Sequence, residues 1–286
     1  MKWRAWLAFA ALSVIWGLPY LFIKLAVAEI SPLGVAFGRI ALGALILTPL
    51  AWRRRALGAA AAHWRAVCAF AFAELIVPFS LVSLGERWIT SSLTAILIAT
   101  LPFAVILLAP AFGLREALTV RRLAGLACGF AGVVVLLGID SVQGAWGWIG
   151  VICVVVATLA YGAGSLIVQR YLKGVDEFGA VALSLAMAAL ILAPFAWLTL
   201  PTRLPSLLAL SSLAVLGVVC TALGLWLYFY LVSQVGAARA TVFTYVNPAV
   251  ATLLGIIVLD EPFGVSLIIG MALILLGSWT AAARHP

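Results

Sequence analysis

Charged residues are scarce in this sequence: only 9% of its 286 residues are Asp, Glu, Lys or Arg, whereas 66% are hydrophobic. Soluble domains carry roughly 25% charged residues, so this composition excludes an ordinary soluble domain. The mean hydropathy of +1.25 places most of the chain in lipid. Because the basic residues lie in short connections between apolar stretches, the net charge of +8 indicates membrane topology rather than a nucleic-acid-binding surface.

Histidine and cysteine are equally sparse. The two histidines, His63 and His285, lie in a basic connection and at the C-terminus, so a metal or catalytic site built on histidine is not expected. The cysteines fall inside apolar runs without CxxC spacing, which argues against a disulfide framework and a zinc site. No cofactor is therefore predicted. The cysteines are Cys68, Cys128, Cys153 and Cys220.

Apolar stretches, in contrast, are long and numerous. A helix needs about 20 apolar residues to cross a hydrocarbon core of roughly 30 Å, and the chain divides into ten such stretches. The sequence therefore predicts an all-α membrane protein with ten transmembrane helices. The predicted limits are 5–26, 32–52, 64–84, 89–113, 118–138, 147–169, 178–200, 207–233, 237–259 and 263–282.

The basic residues are distributed unequally between the two sides of these spans. With ten spans both termini share a side, and 13 of the 17 Lys and Arg residues lie on it. Because short basic loops remain in the cytoplasm, we predict a multi-pass inner (plasma) membrane protein with cytoplasmic termini. The 13 are Lys2, Arg4, Arg53, Arg54, Arg55, Arg65, Arg115, Arg121, Arg122, Arg170, Lys173, Arg239 and Arg284.

The sequence also repeats internally. Residues 44–52, ALILTPLAW, recur as ALILAPFAW at 189–197, with seven identities in nine positions at an offset of 145. We therefore predict a first five-helix repeat over 1–140 and a second over 141–286. Because five is odd, the second repeat is inverted, as in many secondary transporters, which bind solute in a central cavity. The same offset pairs Ser13 with Thr158, Trp16 with Tyr161, Gly17 with Gly162, Glu116 with Glu261, Gly125 with Gly270, and Gly132 with Gly277.

Two prolines lie near the middle of predicted spans, Pro102 and Pro248, and they pair at an offset of 146. Each removes the hydrogen bond to a carbonyl four residues earlier, so each predicts a helix kink. The kink either serves packing alone or opens the helix backbone at a solute site. The symmetric placement, with Asn247 beside Pro248, favours the solute site.

Ionisable residues inside predicted spans are costly, at roughly 2.5 to 3.5 kcal/mol each. Arg39 and Glu74 are such residues. One interpretation is a buried ion pair that fixes the packing of spans two and three. In the other, Glu74 contacts substrate or carries a coupling proton, and Arg39 or Lys24 binds a carboxylate or tunes Glu74. For Lys24, near a helix end, extension to the membrane interface is the simpler interpretation.

Aromatic residues cluster near the middle of spans rather than at their ends. They are candidates for lining a polar cavity, although ordinary helix packing is the better explanation of any single one. Glycines at seven-residue spacing give spans five and ten small faces, which predict close helix contact within the chain or in a homodimer. The aromatic residues are Trp16, Tyr20, Tyr161, Trp226, Tyr228 and Tyr230.

These features together resemble the EamA-type transporters of the drug/metabolite transporter superfamily, over essentially the whole chain. The likeness starts with Trp16-Gly17, Lys24 and Arg39. It implies ten helices, a cavity lined by spans one to four and six to nine, and exchange of amino acids, nucleobase-like metabolites or drugs, commonly as efflux; among these substrates we favour amino acids or related compounds. Glu74 is not part of the family pattern. The repeated pattern is Ser91-Ser92, Pro102, Glu116 and Gly125, then Gly236-Ala237-Ala238, Pro248, Glu261 and Gly270.

The predicted function is therefore secondary transport of a small organic solute by alternating access, as a monomer or homodimer. The chain has no GxxxxGK[ST] motif, so an ATP-driven mechanism is not expected. A membrane-embedded enzyme is a second hypothesis, but it would need a catalytic constellation, and neither HExxH nor paired midplane carboxylates are visible. A non-transporting membrane scaffold is a third, and it would not require polar residues within spans.

Overall fold

The computed structural model describes residues 3–114, 120–138, 144–228, 246–262 and 264–282. Every regular element in these ranges is helical. The elements are α1 (Trp3–Ile15), α2 (Pro19–Val27), α3 (Pro32–Arg53), α4 (Leu57–Ala62), α5 (Trp64–Phe70), a π-helix π1 (Ala71–Ile76), α6 (Val77–Gly85), α7 (Ser91–Ile98), α8 (Leu101–Leu108), a 3-10 helix (Ala109–Phe112), α9 (Val120–Gly138), α10 (Gly144–Tyr171), α11 (Glu177–Trp197), α12 (Leu207–Ala214), a second π-helix π2 (Val215–Leu223), α13 (Asn247–Leu259) and α14 (Val265–Ala282).

Helices long and apolar enough to cross a membrane make up most of this structure. Within the described ranges seven helices meet both criteria: Trp6–Val27, Pro32–Arg53, Trp64–Gly85, Ser91–Phe112, Gly144–Tyr171, Glu177–Trp197 and Leu207–Tyr228. Three shorter apolar helices cover Leu123–Val135, Asn247–Leu259 and Val265–Gly277. The protein is therefore an all-helical, multi-pass membrane protein. Predicted spans 207–233 and 237–259 include residues outside the described ranges. Glu116, Tyr230 and Gly236–Ala238 also lie outside these ranges.

Several helices are interrupted where the sequence offers a local cause. The predicted continuous helix over 5–26 breaks at residues 16–18, because Pro19 at the start of α2 has no backbone N–H to donate. The helix over 91–108 likewise breaks at residues 99 and 100, immediately before Pro102. The π-helices π1 and π2 each place an extra residue in a helical turn. Such turns leave backbone carbonyls available to other partners.

The predicted glycine faces meet within the chain. A Cβ on Gly277 would lie 2.5 Å from the backbone N of Gly129 and 2.6 Å from the O of Gly125. A Cβ on Gly132 would lie 2.8 Å from the O of Gly270. Helices α9 and α14 therefore pack backbone to backbone, which resolves the location that the sequence left open.

Contacts between loops define two ends of the helix bundle. At the first, which we call the Glu86 face, Lys24 bonds to the loop at 86–90, and Trp88 stacks on Trp146 with ring centroids 5.3 Å apart. Glu29 bonds to Ser206 at the same end. The opposite end, which we call the His63 face, carries residues 54–66 and 171–179. It has a surface cavity of about 400 Å³ lined by Ala62, His63, Trp64, Arg65, Ala66 and Tyr171.

Equivalent contacts recur in the two halves. Gly17 and Gly162 are paired at the repeat offset. Gly17 lies against Val250, and Gly162 lies against Ala104. Ser13 Oγ donates to Phe9 O at 2.8 Å, and Thr158 Oγ1 donates to Val154 O at the same distance. The π-helices begin at residues 71 and 215, which are 144 residues apart. Sequence similarity and local structure thus share one register.

Candidate functional site

Trp16 joins the break between α1 and α2 to the second π-helix. Its Nε1 donates to Cys220 O at 2.9 Å, and its ring lies 5.3 Å from the ring of Tyr228. The close approach requires Gly224, where a Cβ would overlap the Trp16 indole nitrogen. The structure therefore places two predicted site residues, Trp16 and Tyr228, side by side.

Arg39 lies on α3 and is only 5% exposed. Its Nε donates to Thr221 Oγ1 at 3.2 Å, and its guanidinium lies 3.8 Å from the ring centroid of Phe79. Stacking on an aromatic face is a favourable environment for a weakly hydrated guanidinium. Thr221 in turn donates to Leu216 O at 2.8 Å, so the π2 turn positions the hydroxyl that holds Arg39.

Glu74 lies in π1 and packs against Gly164 of α10, where a Cβ would overlap its Oε2. This Oε2 is buried and has no hydrogen-bond partner among the described residues. An ion pair between Glu74 and Arg39, one of the two interpretations of the sequence, is absent from the described part of the chain, since Arg39 bonds to Thr221. A buried carboxylate oxygen without a partner is costly, which makes a solute group or a proton a natural complement.

Tyr161 connects these two charges. It lies within electrostatic range of both Arg39 and Glu74, and also of Tyr20. Tyr228 likewise lies within range of Glu74. Five of the sequence-predicted residues, namely Trp16, Arg39, Glu74, Tyr161 and Tyr228, thus form one network of aromatic and charged side chains, with Tyr20 at its edge.

Lys24 reaches the Glu86 face at one end of the helix bundle. Its Nζ donates to Glu86 O at 2.6 Å and to Ile89 O at 2.7 Å, so it bonds to carbonyls at the end of α6 and in the following loop. A cation at a helix C-terminus is favoured by the helix dipole. Lys24 thus links α2 to the Glu86 face, and its extension to the membrane interface stays a prediction.

Glu261 caps a helix of the other half of the chain. Its Oε1 accepts from Ser91 N at 2.6 Å, and its Oε2 accepts from Ser92 N at 3.1 Å and Ser92 Oγ at 2.6 Å. The sequence predicts Glu261 as either solvated or capping a helix. The capping alternative is the one observed, with the side chain only 9% exposed.

The paired prolines occupy equivalent positions. Pro102 is the second residue of α8 and Pro248 the second of α13, where a missing N–H costs least. Asn247 begins α13 and is 8% exposed. Thr100 Oγ1 donates to Leu97 O at 2.6 Å, so one carbonyl at the first break is satisfied locally rather than left for a solute.

Sequence reasoning missed Glu86. This residue follows Gly85 in the short connection between two predicted spans, where a charge is normally solvated, yet its side chain is 0% exposed. Nothing in the pattern Gly85-Glu86-Arg87 distinguishes it from a solvated loop residue. Its burial depends on α2 and the loop around Glu261, which are distant in sequence.

The fold and these buried polar groups define a multi-pass membrane transporter class, and comparison with known proteins identifies the family. The EamA-like transporter family model matches residues 3–138 and again residues 148–282. The chain belongs to the EamA-like transporter family.

Individual relatives agree with this membership. The chain is 30% identical over 254 residues to the uncharacterized inner membrane transporter YedA of Escherichia coli K12, covering 87% of this chain and 80% of YedA. It is 25% identical to the uncharacterized transporter YoaV of Bacillus subtilis, covering 96% and 95% of the two chains. A protein of known crystal structure aligns over 98% of this chain and 97% of its own, with a TM-score of 0.69 and 19% identity, and so shares the fold.

Proposed function

We propose that this protein is a secondary transporter that exports amino acids or related small organic solutes across the inner (plasma) membrane by alternating access. The observation that carries the proposal is the network of Trp16, Arg39, Glu74, Tyr161 and Tyr228, which brings buried charges and aromatic rings from both halves together. Ionisable groups at membrane depth mark solute or ion pathways by default.

The architecture that we propose is two inverted five-helix repeats, residues 1–140 and 141–286, with ten transmembrane helices. The three shorter apolar helices would complete the count of ten alongside the seven longer ones. The two matched family ranges and the equivalent contacts of Gly17 and Gly162 support this division. Inverted repeats allow the two halves to exchange conformations, which opens the site to alternate sides.

We place the His63 face in the cytoplasm, with both termini, and the Glu86 face outside. The His63 face carries many basic residues in short connections, as the positive-inside rule requires. The basic residues of its described loops and adjoining helix ends are Arg53, Arg54, Arg55, Arg65, Arg170 and Lys173. Reaction of impermeant reagents with single cysteines at residues 58 and 202, one on each face, tests this orientation.

An amino-acid zwitterion would match the charges of the network. Its carboxylate would pair with the guanidinium of Arg39, a planar donor suited to carboxylates. Its ammonium group would lie at Glu74 Oε2, next to the rings of Tyr161 and Tyr228, which favour cations. The electrostatic range of Tyr161 to both charges supports one site rather than two.

Counterflow in proteoliposomes tests the function. Vesicles that contain the protein and are loaded with an unlabelled neutral amino acid are expected to accumulate the labelled form transiently. Vesicles without the protein should not. Cells that overproduce the protein should resist toxic amino-acid analogues, because the proposed direction is export. Absence of counterflow across a panel of amino acids and related metabolites would refute the proposal.

The Glu74→Gln variant tests the ammonium contact. A hydrogen bond to a charged group contributes about 1.5 to 3 kcal/mol, so we expect roughly 10- to 100-fold weaker binding of the zwitterion. Binding of a carboxylic acid that has the same side chain but no amino group should change little. If the amino acid and this carboxylic acid lose affinity equally, or if only the pH dependence of transport changes, Glu74 carries a proton rather than binding the ammonium group.

Gly164→Ala provides a matched perturbation of Glu74. The added methyl group would displace the carboxylate that packs on Gly164, so we expect a loss of transport similar to that in Glu74→Gln. In a Glu74→Ala background the same substitution should have less effect, because the overlap with the carboxylate is gone and only the contact with the Cβ of residue 74, at 3.2 Å, remains. Additive losses would show that Gly164 acts through helix packing alone.

A further inference from the structure

Glu86 is a buried carboxyl group that the proposed solute site does not use. It lies between the membrane-crossing helices Trp64–Gly85 and Ser91–Phe112, and its side chain is 0% exposed. Neither Oε1 nor Oε2 has a hydrogen-bond partner in the described ranges of the chain. Both oxygens of a carboxylate are strong acceptors, so this environment fits the neutral acid and not the anion.

The charged and titratable groups around Glu86 have other partners. Lys24 of α2 donates to the carbonyls of Glu86 and Ile89 rather than to the carboxylate. Glu261, from the connection between α13 and α14, uses both of its oxygens on the start of α7. Arg39 of α3 donates to Thr221. Tyr20 of α2 is buried and lies within electrostatic range of Glu86.

An ionised Glu86 would be expected to attract the Lys24 ammonium, which lies next to its own backbone. The ammonium instead bonds to two neutral carbonyls at 2.6 and 2.7 Å. Burial raises the pKa of the Glu86 carboxyl well above its usual range, although Lys24 opposes the rise, and Glu261 adds to it. Geometry and electrostatics therefore agree on a proton bound at Glu86 in this conformation.

Two hydroxyl groups on the helices that flank Glu86 also have no hydrogen-bond partner among the described residues. The hydroxyls of Ser83 and Ser91, on the helices before and after its loop, are buried and find no acceptor or donor among the described atoms. Entry of water would satisfy all of these groups, so this polar cluster gains hydrogen bonds when the Glu86 face opens.

We propose that Glu86 is a proton-binding site that controls the opening of the Glu86 face: the neutral acid holds the face closed, and loss of the proton to water opens it. On opening, the Glu86 O–H bond breaks, the proton passes to water, and the carboxylate becomes hydrated. On closing, a proton from the same water restores the acid. The proposal rests on the proposed transport function, because it assigns this face the role of one gate.

The sign of the pH effect follows from proton linkage. The closed face binds the proton more tightly than the open face, where Glu86 has a pKa near the usual value of about 4.3. Low pH therefore favours closure, and raising the pH from about 4.3 towards the raised pKa favours opening. Within this interval the ratio of open to closed protein increases by up to about tenfold for each pH unit.

Cysteine accessibility measures this opening without any solute. In a background without native cysteines, Ser83→Cys reports the buried side of the Glu86 face, and Thr202→Cys reports an exposed loop on the same face. Each reacts with an impermeant maleimide, and the ratio of the two rates removes the pH dependence of the thiol chemistry. We expect the ratio to increase with pH when Glu86 is present, by several-fold between pH 5 and 7.

Two variants decide the role of Glu86. Glu86→Gln, which remains neutral, should give a ratio that is low and independent of pH, whereas Asp260→Asn, which changes an exposed carboxylate, should retain the wild-type profile. Should Glu86→Gln not fold, Glu86→Asp provides the second reading, since it keeps a titrating acid and should shift the profile without abolishing it. A flat profile in the wild type, or an unchanged one in Glu86→Gln, would overturn the proposal.

This readout is separate from the test of transport. A normal accessibility profile without amino-acid counterflow would refute the proposed substrates and leave the gate intact. Counterflow with a flat accessibility profile would refute the gate and leave the transport function intact.

Discussion

The two halves of the chain share irregular backbone features but not their charged residues. Each half has a π-helix in its third span, at 71–76 and 215–223, and a proline at the second position of the helix after a break, Pro102 or Pro248. Lys24, Arg39 and Glu74 all lie in the first half. At the repeat offset the second half has Gln169, Ser184 and Val219.

This difference separates two requirements of a transporter. Exchange of conformations between inverted repeats depends on equivalent backbones, because each half must adopt the shape of the other. Recognition of a polar solute needs opposite charges at fixed places, and one copy of each is sufficient. The contacts cross between the halves: Arg39 of the first half bonds to Thr221 of the second, and Glu74 packs on Gly164.

The largest expected effect comes from the contact that joins the ends of the two halves. Gly277→Val would place a side chain within van der Waals overlap of the backbone of Gly125 and Gly129. Backbone atoms cannot rotate away, so we expect a destabilisation of about 3 kcal/mol or more and loss of most monodisperse protein. Fluorescence-detected size exclusion measures the folded fraction.

Gly58→Val is the matched control for this change. A Cβ at Gly58 would have no described atom within 4 Å, so the same substitution should leave the yield unchanged. Equal yields from the two variants would show that α9 and α14 do not depend on the close approach.

The next prediction compares equivalent positions. A Cβ on Gly17 would lie 2.5 Å from Val250 Cβ, whereas one on Gly162 would lie 3.0 Å from Ala104 Cβ. Gly17→Ala must therefore separate its helices further, and we expect it to cost about 1 to 3 kcal/mol, with Gly162→Ala costing less. Thermal unfolding of the purified proteins provides the comparison.

Removing the opposing Cβ tests the cause. Val250→Gly should restore part of the stability lost in Gly17→Ala, and Ala104→Gly should do the same for Gly162→Ala. Rescue in both halves would sharpen the structural equivalence, whereas rescue in only one half would break it.

Much of the fold is predictable from local sequence. Apolar runs gave the limits of the seven longer membrane helices to within a few residues at most ends, since each run must match the thickness of the bilayer. The seven-residue glycine spacing predicted close helix contacts at spans five and ten, but not that α9 and α14 pack on each other. Arg39, Glu74 and Trp16 were identified because charge or polarity inside a span is costly.

The remaining features depend on partners distant in sequence. The π-helices were not predicted, because Thr221 and Cys220 in π2 are held by Arg39 and Trp16 from the other half. Glu86 reads as a solvated loop residue and Glu261 as either solvated or capping a helix, and only the meeting of loops at one face buries them. Pattern and propensity contain no information on such contacts.

Glu261, in the second half, stabilises the start of a helix in the first half. Glu261→Gln removes a carboxylate that accepts from two backbone N–H groups at the start of α7. Loss of this anionic cap should cost about 1 kcal/mol. Asp260→Asn, at an exposed neighbour in a left-handed conformation that Asn tolerates, should leave the unfolding midpoint unchanged. Equal midpoints for both variants would contradict the capping role.

The smallest expected effect concerns Glu29, whose carboxylate accepts from Ser206 N at 2.6 Å and Ser206 Oγ at 2.5 Å. These side-chain and backbone hydrogen bonds lower the pKa of Glu29 below its usual value of 4.5. A lowered pKa means that the stabilisation is present above pH 4.5 and is lost as the pH falls through the lowered value. The unfolding midpoint of the wild type should therefore slightly exceed that of Glu29→Gln at pH 6, and the difference should shrink as the pH falls below 4.5. A difference between the unfolding midpoints of the wild type and Glu29→Gln that persists at low pH would show that Glu29 acts by some other contact.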